Sequence, residues 1–299
     1  MELNEILDYA IMADESSKNP NVKAGYEISD RTYGNYLSND CFDEFAKVME
    51  TKYQTAFKMY ELGKDNEMEV RKNRWGTCSP PKMASFGSSS RMIFNLMKDV
   101  EGFLFEKQLP TTVGGTANLD GFIETAEKCI FVEAKCREPY SAKDNVYERK
   151  YEELYNFISA SVKSNIGCDI KDVKNEPKKM KVTFSVNDEP IHHFDMKQMI
   201  SHLLGVATAF LKGEFDVKKI DFVYLLFNPK LIEINEGKDK ICQIYEQTCN
   251  ECNSVDFNAL FDVIVEYLQT VKKIGTTKNK LDIVNSFNFR LCDQQNMYV

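Results

Sequence analysis

The sequence predicts an α/β protein in which a mixed central sheet is flanked by helices. Segments with the periodicity of amphipathic helices alternate with short apolar runs of strand length. The most apolar runs, residues 129–136 and 220–227, have too little polar surface to face water on either side, as is typical of central strands covered by helices. We therefore expect one domain, with a mainly helical N-terminal region at 1–85, an α/β core at 86–228 and a C-terminal helical extension at 229–299.

Composition limits the class of protein further. The 299 residues include 12% aromatic side chains, which suffices for a sizeable core and is unlike a disordered chain. The longest apolar run is far shorter than the ~20 residues of a membrane-spanning helix, and the acidic first residues do not resemble a secretory signal. Nine scattered cysteines favour free thiols in a reducing compartment. We expect a cytoplasmic protein with no membrane partner.

The regions outside the core have simple predictions. Residues 1–63 predict helix, loop, helix, which we interpret as a helical cap on the core, and one apolar stripe runs through the second helix from Phe42 to Tyr60. Residues 64–91 contain six basic and three acidic side chains among turn-forming residues, which predicts an exposed basic loop. The C-terminal region predicts two helices followed by a weaker ending.

Helices and strands alternate through the core. A helix is expected from Ser90 to Glu106, and two strands, 119–125 and 129–136, follow with a hairpin-length connection between them. Beyond the hairpin, the predicted elements are a helix at 147–162, a short strand at 178–186, a helix at 195–211, a strand at 220–227 and helices near 241–248 and 257–271.

The triplet Glu133-Ala134-Lys135 stands out from its context. An acidic residue followed two positions later by Lys occurs nine times in the chain, but only this triplet interrupts an apolar strand. Because strand side chains alternate, Phe131, Glu133 and Lys135 share one face. Burying a carboxylate and an ammonium together is costly unless they are compensated. The pair is therefore either a structural ion pair or part of a site.

The preceding strand adds a second carboxylate. A hairpin through residues 126–128 brings Asp120, near the start of one strand, close to Glu133 and Lys135 at the end of the next. Two converging carboxylates form a hard-oxygen site suited to Mg²⁺. Such a metal polarises a phosphodiester and lowers the pKa of bound water, and a neighbouring Lys orients that water and offsets developing charge. This pattern favours metal-dependent phosphodiester hydrolysis, with the structural ion pair as the alternative.

These residues resemble the signature of the restriction-endonuclease-like nuclease superfamily, which is Pro-Asp, a spacer, then Asp or Glu-x-Lys (PD-(D/E)xK). The matching segments are 118–121 and 132–135, with twelve residues between Asp120 and Glu133. Leu119 replaces the superfamily's Pro. More narrowly, the chain resembles an uncharacterised group of bacterial restriction endonucleases through three segments, which are Ser88-Ser89-Ser90, Phe94-Asn95-Leu96 and Phe105-Glu106-Lys107-Gln108-Leu109-Pro110.

The resemblance, which covers about residues 85–228, implies a fold, a cofactor and a substrate. The implied fold is a helix, a three-strand meander, a helix and a further strand around a metal site. The implied cofactor is Mg²⁺, with Mn²⁺ as a substitute, held by Asp120 and Glu133, while Lys135 positions or activates water. The implied substrate is DNA, cut by an endonuclease. Whether the protein is a homodimer, or has an additional protein partner, stays open.

The resemblance also implies further residues that assist the metal site. Many members supply another acidic metal ligand from the helix before the meander; Glu106 is the first candidate here and Glu101 the second. A Gln or His on the later helix contacts water or phosphate, and Gln198 and His202, four residues apart, share one helical face. The alternatives are a solvated glutamate at a helix end and a structural histidine in a helix.

The net charge of the chain, considered alone, argues against a nucleic-acid partner. The sequence has 38 Lys and Arg against 46 Asp and Glu, for a net charge of −8, which weakens long-range attraction to nucleic acid. The distribution is uneven, because residues 64–91, 128–150 and 163–181 are each net basic. These segments either contact phosphate or are ordinary solvated loops. A nuclease-fold protein that binds nucleic acid or regulates without cutting, and an RNA nuclease, are the remaining alternatives.

Overall fold

A computed structural model describes residues 2–62, 66–72, 76–141, 145–216, 219–275 and 277–297 of the chain. The helices in this part of the chain are α1 (Leu3–Lys18), α2 (Asn39–Lys52), α3 (Gln54–Leu62), α4 (Ser89–Met97), α5 (Glu152–Ala160), α6 (Met196–Leu211), α7 (Lys238–Ser254), α8 (Phe257–Thr270) and α9 (Thr277–Ser286).

The strands form one large sheet and several small ones. They are β1 (Ala24–Ile28), β2 (Arg31–Leu37), β3 (Arg71–Lys72), β4 (Cys78–Ser79), β5 (Leu104–Pro110), β6 (Thr116–Glu124), β7 (Lys128–Lys135), β8 (Val146–Glu148), β9 (Ile166–Asp172), β10 (Lys179–Val186), β11 (Glu189–Pro190), β12 (Lys219–Leu226) and β13 (Phe287–Cys292). The central sheet has five strands in the order β13-β12-β7-β6-β5. The predicted mixed α/β class, with a mixed central sheet flanked by helices, is confirmed.

The central sheet combines an antiparallel meander with parallel strands. β5, β6 and β7 are antiparallel neighbours, whereas β12 runs parallel to β7 and β13 runs parallel to β12. The predicted hairpin between β6 and β7 and the predicted strand corresponding to β12 are confirmed. β8, β9, β10 and β11 form a second sheet beside it.

Each face of the central sheet packs against its own core. One core contains Leu7, Met49 and Phe94 from the N-terminal helices and α4, together with Val132 of β7. The other contains Phe131 of β7 with side chains from α5, α6, α8, β9 and β10. Neighbouring residues of one strand thus enter opposite cores, as strand alternation requires. The sheet is therefore the middle layer of three, and its β7 strand is buried on both sides.

The N-terminal region is less helical than predicted. The expected loop contains the β1–β2 hairpin, and the expected long helix is interrupted at Tyr53, which separates α2 from α3. The hairpin has aromatic and glycine residues rather than a strong period of two, so its sequence signal is weak. The region still covers one face of the sheet, as the helical-cap interpretation expected.

The helix expected from Ser90 to Glu106 is also wrong in its second half. α4 ends at Met97, and Gly102 adopts a φ of +76° in the turn that follows. Leu104 then begins β5, so Glu106 lies in a strand rather than at a helix end. The apolar stripe misled the prediction because Leu104 and Phe105 continue a helical spacing by coincidence while packing as strand residues.

Two of the basic segments differ from the exposed loops expected. From Pro80 to Arg91 the chain is buried except at Lys82 and Ser89, and Arg91 pairs with Glu15. Lys64, Arg74 and Trp75 of that segment lie outside the described residues. The segment 163–181 is mostly the antiparallel pair of β9 and β10, held in register from Met180 to Val186.

The remaining differences are smaller. The helix expected at 147–162 is the shorter α5, preceded by β8 and one turn of 3₁₀ helix. The weak ending contains α9 and the strand β13, whose pairing with β12 is invisible to local periodicity because paired residues such as Ile220 and Phe287 are 67 positions apart. No helix in the described part of the chain has the length and apolar character needed to cross a membrane.

Candidate functional site

The β6–β7 hairpin brings Asp120 next to the Glu133-Ala134-Lys135 triplet. The last paired residues of the two strands are Gly121 and Val132, and Asp120 lies just beyond them, where the ladder ends. There the backbone N–H of Ala134 donates a 2.6 Å hydrogen bond to Oδ2 of Asp120. The carboxylate therefore takes the place of a strand carbonyl, and Asp120 is fixed beside β7.

The site lies where the strand alternation of β5 and β6 breaks. Phe105 and Leu109 are four residues apart and would share a face of a regular strand, yet they enter opposite cores. Between them Glu106 has a φ of +53°, a left-handed conformation that is strained for a residue with a Cβ. The pairs on either side, Phe105 with Gly121 and Lys107 with Leu119, place Glu106 opposite Asp120. Irregular strand pairing and strained backbone of this kind cluster at functional sites.

Glu133 and Lys135 are almost completely buried and form an ion pair. Their exposed fractions are 2% and 6%, and Nζ of Lys135 donates to Oε1 of Glu133. Burial raises the pKa of Glu133 to about 7, although the charge of Lys135 opposes that rise. Burial alone would lower the pKa of Lys135, but attraction to Glu133, Glu138 and Asp120 together outweighs it and raises the pKa. Lys135 is therefore a stable cation at neutral pH.

Asp120 experiences the same crowding of carboxylates. Burial raises its pKa well above the ordinary value, and the charge of Glu133 raises it further. Lys135 and the N–H of Ala134 act in the opposite direction without cancelling these effects. Two adjacent carboxyl groups with raised pKa values indicate a place where added positive charge would be favourable.

Helix α6 supplies Gln198 and His202 to the same neighbourhood. Asp195 caps the helix by accepting from the backbone N–H of Gln198 at 3.0 Å, which positions the first turn. His202 is 3% exposed, and its Nδ1 lies 3.2 Å from Oε2 of Glu133 without the alignment of a hydrogen bond. Burial and the nearby charge of Lys135 lower the pKa of His202 to about 3, so its imidazole is neutral.

A cavity of about 390 Å³ collects most of the predicted site residues. Its lining consists of Tyr36, Glu67, Arg71, Lys82, Ser85, Gly87, Ser88, Ser89, Ser90, Glu106, Asn118, Asp120, Glu133, Lys135, Arg137, Glu138 and Gln198. Glu106 thus belongs to the cavity although it comes from a strand and not from a helix. Glu101, the second choice for the additional acidic residue, is exposed in the turn before β5 and is not in the lining.

A second cavity, of about 350 Å³, adjoins the first through the shared side chains of Asn118 and Gln198. His202 lines this second cavity, as do Lys150 and Lys197. Carboxylates line both cavities, since Glu148 and Asp195 belong to the second.

The charges around the first cavity suit a cation. Five carboxylates and four basic side chains line it. Oε2 of Glu133 and Oε2 of Glu67 are buried and have no hydrogen-bond partner among the described residues. Hard oxygens of this kind fit Mg²⁺, which is commonly bound by one or two carboxylates and several waters. In the described part of the chain, however, no three His, Cys, Asp or Glu side chains are arranged as a ready-made metal site.

Several residues of the cavity are not among those predicted from the sequence. Glu67, Arg71 and Lys82 come from the segment expected to be an exposed loop, and Arg137 and Glu138 follow β7 directly. The first three line the cavity through tertiary packing that the local sequence pattern does not reveal. The nearness of Arg137 and Glu138 to the triplet was the one signal available in the sequence.

Comparisons of the chain with family models, curated proteins and solved structures gave no significant match.

Proposed function

We propose that the protein is a Mg²⁺-dependent nuclease that hydrolyses DNA phosphodiester bonds. The observation that carries the proposal is the convergence of Asp120, Glu133 and Lys135 on one cavity, at a distortion of the sheet. The order of helix α4, an antiparallel meander, further helices and the parallel strand β12 supports the resemblance to the restriction-endonuclease-like superfamily, although the second sheet, β8 to β11, is inserted between the meander and α6. A structural ion pair alone accounts for neither the adjacent Asp120 nor the cavity.

The residues have distinct roles in this proposal. Asp120 and Glu133 would hold the cation, with Glu106 as an additional carboxylate. When bound, Mg²⁺ polarises the phosphodiester and lowers the pKa of a bound water. Lys135 stays protonated because carboxylates surround it, so it orients water and offsets negative charge and does not accept a proton.

Gln198 and His202 would support this centre from α6. Gln198 lines both cavities, and its amide has the donor and acceptor groups needed to contact water or a phosphate oxygen. His202 is neutral and lies beside Glu133, where it restrains that carboxylate rather than supplying charge. We assign it as a positioning residue.

Positive charge for a DNA backbone would come from local groups. Lys150 and Lys197 line the second cavity, and Arg71, Lys82 and Arg137 line the first. Their number is modest, and acidic residues surround them, so we expect weak, salt-sensitive binding in the absence of a divalent cation. A homodimer or an additional protein partner would extend the basic surface.

The second candidate is a nucleic-acid-binding protein that keeps this site without cutting. It is favoured by the lack of a preformed three-ligand metal arrangement among the described residues. An RNA nuclease is the third candidate, since the same metal chemistry cleaves both polymers.

One assay separates these candidates. The purified protein is incubated with plasmid, single-stranded DNA and RNA, with Mg²⁺, Mn²⁺ or a chelator, beside Lys135→Ala. Metal-dependent DNA cleavage that disappears in the variant supports the nuclease. Binding without cleavage supports the second candidate, and cleavage of RNA alone supports the third.

A further inference from the structure

Glu67 is a buried acidic residue contributed to the cavity by the N-terminal region. It is 4% exposed and follows α3 after a short connection. Its backbone N–H donates to the carbonyl of Tyr60 at 3.1 Å, and its own carbonyl accepts from the N–H of Met83 at 3.1 Å. The backbone of Glu67 is thus anchored on both sides, which fixes where its side chain enters the cavity.

The two carboxylate oxygens of Glu67 have different surroundings. Oε1 accepts a 2.6 Å hydrogen bond from Nζ of Lys82. Oε2 is buried, and no hydrogen-bond partner for it exists among the described residues. An unsatisfied buried carboxylate oxygen is costly, so the arrangement has a place for one more positive or donating group. The charge of Glu67 also contributes to the raised pKa of Asp120, which shows that the two carboxylates are electrostatically coupled.

We propose that Glu67 is a further ligand of the divalent cation, directly or through a bound water, and that Lys82 is the counter-ion which occupies Glu67 until the cation binds. The inference rests on the proposed function. Lys82 is about one-third exposed and lines the same cavity, so neutralising Glu67 leaves more of its positive charge to attract a substrate phosphate. Cation binding and phosphate binding are then coupled through one lysine.

The test uses Mn²⁺ binding measured by electron paramagnetic resonance, which needs no catalytic activity. Glu67→Gln removes a ligand charge, and we expect Mn²⁺ affinity to fall about 10-fold or more, as for loss of a supporting metal contact. Lys82→Met removes the competing cation, so we expect Mn²⁺ to bind more tightly while affinity for a short DNA duplex in Ca²⁺ decreases. Glu69→Gln and Lys72→Met are matched controls, since both side chains are exposed on the same segment.

The two variants are expected to change Mn²⁺ affinity in opposite directions, which distinguishes this coupling from a structural ion pair. In a purely structural pair, both variants would lower the melting temperature and neither would raise Mn²⁺ affinity. If Glu67→Gln does not fold, unchanged or weaker Mn²⁺ binding in Lys82→Met overturns the proposal. If Asp120→Asn abolishes Mn²⁺ binding and Glu67→Gln does not weaken it, the inference fails and the proposed metal site stands. If the wild-type protein binds no Mn²⁺, both fail.

Discussion

The backbone N–H of Ala134 donates a 2.6 Å hydrogen bond to Oδ2 of Asp120, so a side chain of β6 continues the ladder to β7 where backbone pairing has ended. This bond places one carboxylate beside the residue that follows Glu133. The two acidic groups are thus held together by backbone geometry in spite of their repulsion. Burial is the main cause of the raised pKa of each group, and the charge of Glu133 raises the pKa of Asp120 further.

Asp120→Asn should separate stability from function. The amide oxygen of Asn can accept the same hydrogen bond from Ala134, while the repulsion with Glu133 disappears. We expect a melting temperature at pH 8 equal to or above that of the wild type, together with loss of metal binding and a fall in cleavage of about 100-fold or more. Differential scanning calorimetry and a nicking assay measure the two effects.

Asp30→Asn is the control, because Asp30 is exposed in the turn between β1 and β2. It should change neither quantity. A strongly destabilised Asp120→Asn protein would show that the carboxylate is needed for the fold itself, which contradicts this assignment.

The stability of the metal-free protein should depend on Glu133 and pH. Burial raises its pKa from 4.5 to about 7, so the unfolded chain loses this proton at lower pH than the folded protein. Glu133 contributes up to about 3 kcal/mol to the free energy of unfolding. This contribution is fully present below pH 4.5 and is lost as the pH rises through about 7. Urea unfolding across this range should therefore show a shallower pH dependence in Glu133→Gln. Equal pH dependence in both proteins would be inconsistent with a buried, titrating Glu133.

His202 should not titrate in the physiological range. Its pKa is lowered to about 3 by burial and by Lys135, whereas an unfolded chain protonates its histidines near the ordinary 6.5. The contribution of this neutral imidazole to the free energy of unfolding is fully present above pH 6.5 and is lost as the pH falls toward 3. We expect the imidazole NMR shifts of His202 to stay constant from about pH 5 to 8. A midpoint near 6.5 would show instead that the ring is open to water.

The basic side chains of the second cavity should contribute to DNA affinity. Reversing Lys150 and Lys197 to Glu should weaken duplex binding in Ca²⁺ and reduce the slope of its salt dependence by about two. Reversal of Lys178, Lys179 and Lys181, which lie outside the lining of both cavities, should have a smaller effect. Fluorescence anisotropy at several salt concentrations measures both. A larger effect of the second set would place the DNA path along β10.

The part of the site on the β6–β7 hairpin was predictable because residues close together in the sequence determine its geometry. Two short apolar strands and a three-residue connection determine how Asp120 approaches Glu133, and alternation puts Lys135 on the same face. The class of fold was predictable for a similar reason, since the alternation of helical and strand patterns survives errors at single boundaries.

Other features depend on contacts between distant segments. The sequence predicts Glu106 in a helix because the apolar spacing of α4 continues by coincidence into β5. Glu67 is positioned at the cavity by backbone hydrogen bonds to Tyr60 and Met83, and Lys82 reaches it as the ion-pair partner of Glu67. The pairing of β13 with β12 likewise has no local signature. These features form only when distant segments pack against the sheet, so hydrophobic periodicity and charge counts along the sequence do not predict them.

The most direct test of the nuclease assignment is a Mg²⁺ titration of plasmid cleavage by the wild-type protein and by Glu133→Gln. Gln keeps the shape of the side chain and removes the charge proposed to hold the cation. We expect cleavage by the wild type to rise with Mg²⁺ and saturate, and cleavage by the variant to be lower by about 100-fold or more. Equal rates in the two proteins, cleavage that persists in a chelator, or no cleavage by the wild type would contradict the assignment.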